Sequence, residues 1–82
     1  KSASGRELVV AILDTGEVIV RGAQVSTEEL VEVFRKEASE DDKRVVLVQA
    51  DEKAFHHRVV EVMEAARKAG LNNLAIATKP AP

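Results

Sequence analysis

The 82 residues carry 45% apolar side chains, 12 Lys and Arg against 14 Asp and Glu, and a formal net charge of −2. That balance supports a globular core and gives no basic face for nucleic acid. With no Cys, disulfides and thiolate metal sites are excluded, and no stretch approaches the roughly 20 apolar residues that span a bilayer. A chain this short buries only about 60% of its unfolded surface, so it is one marginal domain that gains from a partner. Two Phe, with no Trp or Tyr, make its core aliphatic. No signal-peptide pattern is visible, and Lys1 in place of Met points to a fragment of a longer chain.

Lys1 to Gly5 is small and polar and is expected to fray. Glu7 to Leu13 is an apolar run of strand length, and Glu17 to Arg21 is a second, β-branched one. The intervening Asp14-Thr15-Gly16 reads as a hairpin loop with Gly16 left-handed. Gly22 and Ala23 end that strand. Ser26 and Glu29 then form a capping box, with Val25 and Leu30 placed as a hydrophobic staple. Leu30, Val33, Phe34 and Ala38 form the buried stripe of this first helix, and Glu28, Glu29 and Glu32 favour its N-terminal dipole. Ser39 to Lys43 is a solvated loop.

Val45 to Ala50 is a third strand. After Asp51, Phe55, Val59, Val62, Met63, Ala66 and Ala69 recur at helical spacing, opposite Arg58, Glu61, Glu64, Arg67 and Lys68. Gly70 stops that helix, and Leu74 to Thr78 forms the fourth strand. Lys79-Pro80-Ala81-Pro82 cannot continue a ladder well and marks a boundary, which leaves residues 80–82 as a tail and 6–79 as the domain.

The expected fold is α+β, a two-layer α/β sandwich of order β-β-α-β-α-β. Right-handed crossovers stepping one way put both helices on one face of a mixed four-stranded sheet. The most apolar strands, the first and third, belong in the middle, giving the order 2-1-3-4. The first strand is apolar on both sides, Leu8, Val10 and Ile12 against Val9, Ala11 and Leu13, so the helix-free face calls for a partner.

Several residues invite chemical readings. Ile12-Leu13-Asp14-Thr15-Gly16 resembles the active-site loop of retropepsin-like aspartic proteases, dimers in which paired Asp carboxyls share a proton. The same residues suit a turn, and those proteases are nearly all-β whereas this chain has two marked helices. His56 and His57 suggest a metal, but adjacent helical residues point about 100° apart, so a solvated helix start is the better reading. Asp51 reads as a helix cap. The glycines form no phosphate loop, and Glu40-Asp41-Asp42 lacks the alternation of a calcium loop. No catalytic residue, metal ligand or cofactor site is assigned.

The strand ending in Gly22, the VSTEEL of Val25–Leu30, the VVLVQAD of Val45–Asp51 and the VVEVMEAARKAGLNNLAIAT of Val59–Thr78 together resemble the periplasmic domain of the ExbD/TolR family. The match covers Glu17 to Pro80. The resemblance implies a domain held at the bacterial inner membrane by a helix outside this chain. It would be a homodimer without enzymatic activity, part of a proton-driven motor with an ExbB- or TolQ-type membrane protein, energising TonB or TolA. Some relatives also contact peptidoglycan, so a glycan- or ligand-binding module is the alternative function. A free sheet edge can accept a partner's strand. The expected edges place Val18, Val20, Leu74, Ile76 and Thr78 as the candidate contact residues.

Overall fold

The computed structural model describes residues 7–54 and 56–79. The two tails expected at 1–5 and 80–82, and Phe55 of the second apolar stripe, lie outside the described residues. The elements are β1 (Leu8–Ile12), β2 (Val18–Val20), β3 (Ala23–Val25), α1 (Thr27–Glu40), β4 (Val45–Asp51), α2 (His56–Lys68) and β5 (Asn73–Lys79). They build an α+β fold with one mixed five-stranded sheet in the order β3-β2-β1-β4-β5. β1 to β3 pair as an antiparallel meander, and β4 pairs parallel to both β1 and β5.

The four expected strands keep their expected order, with β1 and β4 inside, but the sheet has a fifth strand where Gly22 and Ala23 were expected to end one. Val20 pairs with Ala23, so only Arg21 and Gly22 lie between β2 and β3. Both have positive φ, 52° and 82°. This is the backbone of a two-residue primed turn, whose twist matches the strands it joins. The usual sequence mark of that turn is Asn-Gly or Asp-Gly, and Ala23-Gln24 has little strand preference, so β3 is silent in the sequence. The consequence corrects the expected edges: β2, with Val18 and Val20, is an inner strand flanked on both sides.

The first hairpin closes as expected. Leu13 N–H donates to Glu17 O and Gly16 N–H to Leu13 O, both at 2.9 Å, and Gly16 has φ 94°. The capping box also forms. Glu29 N–H donates to Ser26 Oγ at 3.1 Å, and Ser26 N–H donates back to Glu29 Oε1 at 2.7 Å. Helix α1 runs on through Ser39 and Glu40, residues expected in the loop. Helix α2 ends in a Schellman motif. Leu71 N–H donates to Ala66 O at 2.9 Å, Gly70 N–H donates to Arg67 O at 3.0 Å, and Gly70 has φ 102°. Leu71 is then fully buried, which fixes where the chain leaves the helix for β5.

Strand alternation decides the layers. Leu8, Val10 and Ile12 of β1, Val46, Val48 and Ala50 of β4, and Val18 and Val20 of β2 all point to one buried side. Leu30 and Phe34 from α1 and Val62, Ala65 and Ala66 from α2 complete the same core cluster. Both helices therefore cover one face, as expected. The other face carries Val9, Ala11, Ile19, Leu47, Ala75 and Ala77, none of which joins that core.

Candidate functional site

Strand β5 is the long open edge of the sheet. It spans Asn73–Lys79 and, among the described residues, pairs only with β4. In a strand with one neighbour, half of the backbone N–H and C=O groups point outward, ready to pair with another extended chain. Two contacts hold its start in place: Leu71 is sealed in the core, and Asn73 Nδ2 donates to Lys43 O at 2.8 Å.

Register puts Leu74, Ile76 and Thr78 beside Val46, Val48 and Ala50, on the helix side of the sheet. Leu74 is half-buried, but Ile76 is 51% exposed and Thr78 is exposed, because α2 lies over the inner strands and not over the edge. Ile76 is thus an exposed β-branched side chain at the centre of an unpaired edge. Beside it lies an open depression of about 390 Å³ lined by Ala50, Ala54, His56, Val59, Ile76 and Thr78. A strand added to β5 would send every second side chain into this depression. Of the five candidate contact residues, the structure leaves Leu74, Ile76 and Thr78 together at an edge. Val18 and Val20 are buried at 6% and 4% and are flanked by β1 and β3.

The opposite end of the sheet is blunted. β3 has only three residues and leads directly into the capped start of α1. Next to it, Thr15, Gly16, Gln24, Thr27, Glu28 and Arg58 line a polar groove of about 400 Å³. Arg58 Nη1 donates to Glu61 Oε1 at 2.8 Å.

A buried carboxylate joins α1 to the β2–β3 turn and to the residue that opens β4. Glu37, 3% exposed, sits on the inner stripe of α1. Its Oε1 lies 2.7 Å from Arg44 Nε at the start of β4, and its Oε2 accepts from Arg21 Nη2 in the β2–β3 turn at 2.5 Å. The Arg44 side chain is 19% exposed and that of Arg21 is 64% exposed, so only the first pair is shielded from water. Sequence reading missed this residue, although its place seven after Leu30 puts it on the stripe.

The other chemical readings fare poorly. Asp14 is exposed in the hairpin loop of a two-helix fold, which departs from the nearly all-β body that the protease reading needs. His56 and His57 are exposed at the start of α2. Asp51 does not cap that helix. It ends β4 and shapes the following turn, accepting Lys53 N–H on Oδ1 and Ala54 N–H on its carbonyl, both at 2.8 Å. Among the described residues no group of three or more His, Asp or Glu is placed to hold a metal, and no helix is long and apolar enough to cross a membrane.

Residues 1–81 match the model of the family described as "Biopolymer transport protein ExbD/TolR". The chain is also 31% identical over 72 residues to the biopolymer transport protein exbD2 of Vibrio cholerae serotype O1, covering 88% of this chain and 54% of the relative. The chain thus spans about half the length of the curated relative that it matches.

Proposed function

Because the chain belongs to the ExbD/TolR family of biopolymer transport proteins, we propose that it is the periplasmic contact domain of a proton-motive-force-coupled transport complex. Members of this membrane-associated family work in energy-transducing complexes with ExbB- and TonB-like proteins. On this reading a helix outside the 82 residues anchors the domain in the inner membrane. An ExbB- or TolQ-like protein supplies the motor, and the domain, as a homodimer, passes its motion to a TonB- or TolA-like segment by contact. It transforms no substrate and needs no cofactor.

The observation that carries this reading is the β5 edge: seven residues of open backbone with Ile76 exposed at the middle. An extended segment pairing there gains main-chain hydrogen bonds along the strand and specificity from alternate side chains. Ile76→Asp places a charge where such a segment would bury it, outside the domain's own core. The expected result is loss of capture of TonB- or TolA-type segments by the immobilised domain, with the urea unfolding midpoint unchanged. Capture at full strength by Ile76→Asp would rule out this edge.

A second reading, a peptidoglycan- or ligand-binding module, draws on the polar groove lined by Gln24, Thr27 and Arg58. Sedimentation with peptidoglycan, retained by Ile76→Asp and lost on Arg58→Glu, would favour it.

A further inference from the structure

From Asn73 to Thr78 the β5 edge bears no charged side chain, although exposed edges are commonly guarded by Lys or Pro. The depression beside Ile76 has an apolar part, with Ala50, Ala54 and Val59, and its charged lining is Asp51 and Glu52. The two carboxylates are not equivalent. Asp51 Oδ1 accepts Lys53 N–H at 2.8 Å and so serves the turn after β4. Glu52 is exposed, and its side chain is engaged by no other described residue.

Register sets the spacing. Ile76 and Thr78 pair with Val48 and Ala50, and Glu52 lies two residues beyond Ala50. A strand added to β5 would set its own residues beside Ile76 and Thr78, two positions and about 7 Å apart. The first meets the apolar hollow. The second lies at the end where Glu52 stands. From this arrangement we infer that the β5 edge selects an extended segment in which an apolar residue and a Lys or Arg stand two positions apart. The apolar side chain fills the hollow against Ile76, and the cation reaches Glu52. The inference rests on the edge reading above and specifies the segment that the edge takes. Charge complementarity favours this occupant. An acidic segment would set like charges side by side, and a wholly apolar one would cover Glu52 without pairing it. A long basic side chain can also lay its methylene stem over Thr78 and keep its head in water.

The test titrates the isotope-labelled 82-residue chain with threonine-based heptapeptides, read by amide shifts at about pH 7.5, where a free imidazole carries little charge. Each peptide has a central valine and a lysine two positions before or after it, so that both strand directions are sampled. In the controls glutamate replaces the lysine, or serine replaces the valine. The amides of Asn73 to Lys79 should shift. The tighter lysine peptide should bind at least roughly threefold better than its glutamate counterpart, and the difference should shrink at about 0.5 M salt. Serine for valine should weaken binding roughly fivefold. With Glu52→Lys the preference should invert. With Glu64→Lys, the same charge change on the side of α2 turned to α1, it should stay as in wild type. Circular dichroism confirms that both variants are folded. Lysine and glutamate peptides that bind equally while shifting Asn73 to Lys79, or a preference that Glu52→Lys leaves standing, would overturn the inference and spare the edge reading. If no peptide of either charge moves those amides, the edge reading fails and the inference falls with it.

Discussion

Glu37 shows how one side chain can join three elements. Its carboxylate is buried on α1 and is neutralised from the β2–β3 turn by Arg21 and from β4 by Arg44. Removing one member of a buried ion pair commonly costs about 3–5 kcal/mol because the other charge is stranded. Here Arg21 already reaches water, so the pair with Arg44 is the one whose loss weighs more. Glu37→Gln should therefore lose about 2–3 kcal/mol in urea unfolding, and Arg21→Ala less than about 1 kcal/mol. Equal losses for the two would contradict the asymmetry of burial. Nothing in a lone Glu among helix formers announces such a role. Its position on the stripe is visible in the sequence, but its two partners become neighbours only once the chain has folded.

Legibility differed among elements for local reasons. Helix α1 was readable at its start because Ser26, Glu29, Val25 and Leu30 satisfy orphan backbone groups within a few residues. Its far end was not, because Ser39 and Glu40 are polar residues that α1 keeps for one more half turn. Helix α2 was readable at its stop, where Gly70 takes the left-handed conformation. Strand β3 was not readable. Its turn uses Arg21 in a left-handed backbone, and Arg has no local preference for that region. The pairing of Val20 with Ala23 across the turn imposes that conformation, and it depends on the sheet rather than on Arg21 itself. Missing β3 moved one predicted edge inward, so Val18 and Val20 became core while Leu74, Ile76 and Thr78 stayed at the rim. The core itself followed from alternation and helical spacing. Phe34, fully buried between the layers, is its largest member. Phe34→Ala should cost about 3–5 kcal/mol by urea unfolding, while Ser26→Ala, which removes the cap oxygen, should cost about 1 kcal/mol.

At the scale of the molecule, the fold separates three surfaces. One face of the sheet is covered by both helices and supplies stability. The opposite face carries Val9, Ala11, Leu47, Ala75 and Ala77 around Gln49, with no helix over it among the described residues. The β5 rim is long and open, while the β3 rim is short and capped by α1, so an incoming strand has one favourable address. A domain of this size has a modest core, and in the proposed role its partners add stability by mass action. Amide hydrogen exchange of the chain, alone and with a saturating TonB- or TolA-type segment, tests the central claim most directly. The account predicts that protection rises along Asn73 to Lys79 and leaves α1 and α2 unchanged. Protection that rises on the helices while β5 exchanges as before would contradict it.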